Sequence, residues 1–340
     1  VFRGILYHGS TNQIENLDEE SLFSCILKSD ETSSSPLSKL GKSNSFLWID
    51  ISSPTAVELA SLAQRFNLDP QIVEDLRAKE GRPKLHDYDN YIYLIFHAIS
   101  LESDEHHRLE IGMMEIDCLI GPDWLLTIHS RPLRAFDDIA TRWARKPEWM
   151  QKGPGYLLYE LMDSVLDAYF PILEQLDNRI DAFEDKLYRS SVRNEQGVSL
   201  SSEIFALKRV LLEIRHIAGP TRDVVNILLR RDAEEGGKHF AAFQDLFDHS
   251  SRIVENIDTY RDILSGALDA YLAIESNRMN AVMKNFTAYS IVLLVPSLIA
   301  GIYGMNFDDL PKAHGFWNAI TLMGIIVVSL IIFFKRRQWL

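Results

Sequence analysis

Two uninterrupted apolar runs near the end of the chain leave fewer choices of architecture than any other feature in it. Phe286 to Tyr303 is 18 residues long, Phe316 to Phe334 is 19, and neither carries a charged side chain. Each is close to the roughly 20 residues that cross a hydrocarbon core about 30 Å thick. The alternative, a pair of buried core helices, fails on the second run, because Gly324-Ile325-Ile326-Val327-Val328-Ser329-Leu330-Ile331-Ile332-Phe333-Phe334 leaves no polar face for water. Basic residues orient the pair. Lys335-Arg336-Arg337 follow the second run, and Arg278 and Lys284 precede the first, so both outer ends face the cytoplasm by the positive-inside tendency. The connection Asn306 to Gly315 then lies outside, and Trp317 and Trp339 stand where interfacial aromatic anchors are expected.

With residues 1–285 on the cytoplasmic side, composition becomes informative. The chain has 340 residues and a formal net charge of −13, from 48 acidic and 35 basic residues. Nucleic acid is excluded as the main partner, since phosphate binding needs clustered Lys and Arg. Cations are the natural guests. Two cysteines, Cys25 and Cys118, form no CxxC pair and suit a reducing compartment. Val1 to Ser10 shows no basic stretch followed by an apolar run, which suits a bacterial inner membrane.

The cytoplasmic part reads as α+β. Phe46 to Ile51, Tyr91 to Ile99, Met113 to Ile120 and Trp124 to His129 are short, aromatic and branched, and so predict strands, with Gly121-Pro122-Asp123 as a hairpin turn. Thr55 to Phe66 and Pro132 to Trp143 carry apolar residues at helical spacing. Residues 1–150 are therefore expected to form an α/β domain, with a polar, Ser-rich loop over Ser29 to Ser45. After Gly153-Pro154-Gly155 the pattern turns helical: Tyr156 to Ser190, interrupted by Pro171, then Leu200 to Asp232, then a run from Lys238 to Tyr303. If continuous, that last helix is on the order of 100 Å long at about 1.5 Å per residue. The expected divisions are 1–150, 151–285 for the long helices, 286–303 for the first span, 304–315 for the outer loop, 316–334 for the second span and 335–340 for a basic tail.

The two spans differ in kind. Stepping by seven along the first and its approach gives Asp269, Ser276, Met283, Ser290, Ser297 and Gly304; a second register gives Ala273, Asn280, Thr287, Leu294 and Gly301. These stripes of small and polar residues run at the 3.5 spacing of a helix packed in parallel with copies of itself. Small residues also serve close packing in lipid. The length of the stripe favours a pore, with Asn280, Thr287, Ser290, Ser297 and Gly301 along its wall and Met283, Phe286 and Leu294 as apolar constrictions. One helix encloses nothing, so the path needs a ring of subunits.

At its outer end the first span breaks at Gly304-Met305-Asn306, followed by Asp308 and Asp309. Here the sequence resembles the CorA family of magnesium and divalent-cation transporters, whose signature is a Gly-Met-Asn motif closing the first of two C-terminal spans. Tyr303 to Phe307, Ser265 to Lys284 and the terminal Phe334 to Leu340 are similar to family sequence as well.

The resemblance implies a homopentameric funnel in which Gly304, Met305 and Asn306 form a selectivity filter, Asn306 presenting amide oxygens to the ion. It also implies Mg²⁺ as cargo, with Co²⁺ and Ni²⁺ as further passengers, Mg²⁺ as regulator, and no organic cofactor. Asp245 falls where the family places a regulatory carboxylate, with a partner from the next subunit sought among Glu102, Asp104 and Glu105; Asp269 resembles a family pore carboxylate. Asp308 and Asp309 would concentrate cations at the mouth. The partners expected are other copies of the chain, the bilayer and divalent cations. His106-His107 form no HxH or HExxH pattern, and no phosphate loop, GxSxG or nucleophile motif occurs, so a catalytic role is not expected. Two rivals stand beside this reading: a zinc transporter of the ZntB kind, which tends to depart from Gly-Met-Asn, and a membrane-tethered oligomeric sensor or scaffold.

Overall fold

A computed structural model describes residues 2–9, 13–17, 45–78, 81–103, 109–193, 198–303 and 315–339. Seven strands form one mixed sheet: β1 (Phe2–His8), β2 (Gln13–Leu17), β3 (Phe46–Ser52), β4 (Lys84–Tyr88), β5 (Tyr91–Ser103), β6 (Leu109–Ile120) and β7 (Trp124–His129). Their spatial order is β2-β1-β3-β7-β6-β5-β4, and every neighbouring pair is antiparallel except β3 with β7. That parallel pair needs a crossover, and the chain between β3 and β7 supplies it with helices α1 (Ala56–Arg65) and α2 (Pro70–Ala78) and strands β4 to β6. Thr55 starts α1 with a reciprocal cap: its hydroxyl accepts from Glu58 N, and its own N–H donates to the Glu58 carboxylate at 2.6 Å.

Both faces of the sheet are covered, and β3 shows it residue by residue. All seven of its side chains are buried. Leu47, Ile49 and Ile51 join a core with Leu59 and Leu62 of α1 and Ile72 and Leu76 of α2. Phe46 and Trp48 point the other way, into a larger core shared with α3 (Arg134–Arg145), α5 (Pro154–Asp167), α6 (Tyr169–Arg193), α7 (Val198–Glu234) and the start of α8 (Phe240–Tyr303); a short α4 (Pro147–Met150) lies between α3 and α5. Trp48 meets Phe136 and Phe46 meets Trp143 edge to face, each pair 6.4 Å apart. Full burial of such side chains contributes about 1.5–3 kcal/mol apiece. Asp50 is the charged member of this strand, and it is satisfied: Thr127 Oγ1 donates to Oδ1 at 2.6 Å and His129 Nε2 lies 3.0 Å away. The alternation of β3 thus sends one face to each helical layer, the pattern of a sheet buried on both sides.

The turn into α5 depends on one glycine. Gly153 sits at φ 85 and ψ −176, a conformation essentially confined to glycine, and Pro154 follows at the first helical position, where its missing N–H costs nothing. The long apolar-periodic stretch that follows is two helices. α5 stops at Asp167 and α6 opens at Tyr169, so Pro171 falls within the first turn of α6, the place where a helix tolerates proline.

The chain divides into two compact units, Val1–Tyr188 with Gln196–Leu264, and Arg189–Glu195 with Ser265–Leu340. The sheet, its covering helices and the first part of α8 belong to the former. In the latter, the remainder of α8 and all of α9 (Gly315–Arg336) carry the apolar runs, and both helices are long and apolar enough to cross a membrane. The Ser-rich loop over Ser29 to Ser45 lies outside the described residues but for Ser45.

Candidate functional site

α8 is 64 residues long, and it carries the residues of both sequence stripes down to Gly301. Within its own unit the helix has a more covered face: Ala288 is buried and Ile291, Val292, Val295 and Ile299 are partly buried. At 3.6 residues per turn these five share one side. Met283, Phe286, Ser290, Leu294, Ser297 and Gly301 fall on the other side, and all six are exposed. Thr287 lies on the flank and is partly covered, and Asn280 and Asp269 are exposed nearer the start of the helix. Phe286 and Leu294 are each 67% exposed. Large apolar side chains at that exposure, in a row, call for a lipid or protein neighbour.

Two of the stripe's hydroxyls have committed their protons. Thr287 Oγ1 donates to Met283 O and Ser297 Oγ donates to Leu293 O, each at 2.8 Å. A hydroxyl so engaged satisfies itself in an apolar medium and offers outward only lone pairs. Gly304, Met305, Asn306, Asp308 and Asp309 lie outside the described residues, as do Asp104, Glu105 and His106-His107.

The other candidate site lies in the sheet-bearing unit. Asp245 and His249 are one turn apart near the start of α8, and Asp163 of α5 meets them. His249 Nδ1 is 3.0 Å from Asp163 Oδ1 and His249 Nε2 is 3.8 Å from Asp245 Oδ1. Tyr159 donates its hydroxyl to Asp245 Oδ2 at 3.2 Å, and Phe170 sets its ring edge-on to His249 with centroids 6.2 Å apart. One ligand atom from each of Asp163, Asp245 and His249 falls within 4.8 Å of the other two, the only such trio among the described residues. Burial raises the Asp163 carboxyl; the hydrogen bond from His249 opposes this, and Asp167 and Asp245 add to it. Two carboxylates and an imidazole around one point form a divalent-cation donor set, the oxygens suiting Mg²⁺ and the nitrogen suiting Co²⁺ or Ni²⁺.

Sequence reading reached Asp245 and missed its companions. The Asp245-x-x-x-His249 spacing was visible as two donors one helical turn apart. Asp163 carried no local signal, since only the packing of α5 on α8 brings it in. Glu102 stands elsewhere, on β5, where Ser100 Oγ donates to it at 3.3 Å.

A sheet-and-helix domain followed by two exposed apolar helices, the first striped with hydroxyls and glycine, defines a class: a membrane protein with two C-terminal spans. Comparison with known proteins makes the class specific. The pattern of the CorA-like Mg²⁺ transporter family matches residues 43–336, most of the chain, and the protein belongs to that family. It is 32% identical over 296 residues to the putative metal ion transporter YfjQ of Bacillus subtilis, covering 86% of this chain and 89% of that one. It is 30% identical over 302 residues to the cobalt/magnesium transport protein CorA of Thermotoga maritima, covering 86% and 83%. In fold it is similar to the complete structure of the CorA magnesium transporter from Methanocaldococcus jannaschii, with a TM-score of 0.73, 24% identity and coverage of 99% and 98%.

Proposed function

We propose that the chain is one subunit of a homopentameric channel in the cytoplasmic membrane that passes Mg²⁺, and Co²⁺ with it, into the cell down the electrochemical gradient. The observation that carries this reading is the split of α8 into a more covered face and an opposite, exposed stripe of small, hydroxyl and apolar residues. A ring of such helices lines a path with Ser290, Ser297 and Gly301, narrowed at Met283, Phe286 and Leu294. Mg²⁺ holds its water shell tightly. Walls that offer lone pairs, as Thr287 and Ser297 do, accept hydrogen bonds from that shell without displacing it. Asn306 adds neutral amide oxygens at the outer end, with Gly304 and Met305 shaping the turn that holds them, and Asp308 and Asp309 enrich cations there. Neutral ligands let the ion leave.

In the same reading, internal Mg²⁺ closes the ring from the cytoplasmic side. Asp245, with Asp163 and His249 beside it, binds the regulating ion, and Asp269 adds negative charge along the exposed side of α8. Without the ion, the clustered carboxylates repel and the closed arrangement loses its tie.

Flux into liposomes separates this reading from its rivals. The expected result is uptake of Mg²⁺ and Co²⁺ that falls at least about tenfold in Asn306→Ala, an interaction change on the order of 1.4 kcal/mol or more. Zinc preference with little effect of Asn306→Ala would favour the ZntB kind. Absence of flux would favour a scaffold.

A further inference from the structure

β6 places two acids where a sheet rarely keeps them. Glu115 and Asp117 are two residues apart on one strand, so their side chains share a face, and they are 9% and 4% exposed. Across the sheet Asp117 is paired with Ile95 of β5 and Ile128 of β7, so the strands on either side give its carboxyl no charge partner. Its hydrogen bond comes from further along β5, where the Tyr93 hydroxyl donates to Asp117 Oδ1 at 2.7 Å. Glu115 uses one oxygen to accept the backbone N–H of Gly81 at 2.5 Å, while Oε1 has no donor. Gly81 belongs to the connection between α2 and β4, so this carboxyl ties that connection to the sheet.

The charged and titratable groups facing the pair give it little relief. Lys84 of β4 is engaged with Asp75 of α2 at 2.5 Å. His97, paired with Glu115 across β5 and β6, is held neutral, since burial pulls it down to about 4. Tyr93 is a phenol whose ionisation burial pushes upward. Two carboxyl groups side by side in such a place cannot both be ionised.

We propose that Glu115 and Asp117 form a one-proton latch: the pair keeps a single shared proton while Gly81 is docked, and loss of that proton frees the α2–β4 connection from the sheet. The first carboxylate of the pair serves as acceptor for Gly81, and the second stays protonated and bridges to it. Removing the proton leaves two buried negative charges, and the readiest escape is for Glu115 to let go of Gly81 and turn to water. Burial, then the charge of Glu115, pushes Asp117 up to about 8, and burial raises Glu115 as well. The docked form therefore binds its proton more tightly than the undocked form, so docking is strongest at lower pH and weakens as pH rises through the pair's titration. The latch is independent of the transport reading, because it concerns the sheet alone.

Amide hydrogen exchange on the full chain in detergent micelles tests it. After correction for the intrinsic pH dependence of exchange, protection of the amides of residues 81, 82, 84 and 85 should fall about tenfold per pH unit between the titration of the undocked pair and that of the docked pair, the slope of one proton released per opening, and level off above the latter. Asp117→Asn and Glu115→Gln, each leaving one carboxyl, should give protection that is flat over the same range. A flat profile in the wild type, or a step that persists in both variants, overturns the proposal. Should neither variant fold, the wild type alone decides: the infrared band of a protonated carboxyl must vanish at the pH where the fall in protection levels off, and a band already absent while protection is falling, or one that persists beyond the levelling, overturns it.

Discussion

His249 is the residue on which the regulatory reading is most exposed to test. Its imidazole spans Asp163 and Asp245, one nitrogen toward each. With no ion bound it hydrogen-bonds Asp163; with an ion it must turn one nitrogen into a ligand, so it stands at the exchange of one state for the other. Magnesium prefers oxygen, whereas cobalt takes imidazole readily. Replacing His249 by Ala should therefore raise the internal Co²⁺ needed to shut the channel by about 10–100-fold, while the Mg²⁺ requirement moves by less. Flux from liposomes loaded with graded concentrations of either ion reads both values. Equal shifts for the two ions would make His249 a packing residue against Phe170 and leave the carboxylates as the whole site.

At the scale of the element, α8 presents a pattern that chemical labelling can read directly. Cysteine substituted one position at a time from residue 283 to 301 should react with a membrane-impermeant thiol reagent at 283, 290, 294, 297 and 301, with rates at least about tenfold above those at 288, 292, 295 and 299. Reactivity without that period, or centred on the more covered face, would remove the pore from the proposal. How much of this helix the sequence disclosed, and how little of its surroundings, has a physical reason. A heptad stripe is local and repeats, so Met283, Ser290 and Ser297 are legible in one dimension. The same holds for strands buried on both faces: Phe46 to Ile51 and Trp124 to His129 read as apolar runs and are strands β3 and β7. Edge elements gave no such signal. β4 is Lys-Leu-His-Asp-Tyr with no buried residue, and α2 buries only Ile72 and Leu76 over nine residues, too few turns for a period to show. Asp163 was hidden for a different cause, since its meeting with His249 joins positions 86 apart and is fixed by packing between helices.

For the whole molecule the decisive quantity is the force that moves the ion. Nothing in the chain resembles a nucleotide-binding loop, and the proposed path is a wall of hydroxyls, amides and apolar side chains with no acid inside the first span from Phe286 to Tyr303. A proton-coupled carrier needs a titratable group in the membrane that alternates between its sides. A passive pore needs only the potential, which supplies roughly 4–5 kcal/mol per 100 mV for a divalent ion, twice the value for one charge. That energy corresponds to accumulation of about three orders of magnitude at equilibrium. Liposomes holding the purified protein should thus take up Mg²⁺ when a potassium diffusion potential makes the interior negative, and stop when the potential is collapsed. A pH gradient of either sign, imposed at zero potential, should leave uptake unchanged, because the spans hold no group to carry the proton across. Uptake that follows the pH gradient instead would mean that the stripe on α8 is not an open wall but part of a carrier, and the proposed ring of five copies would lose its reason.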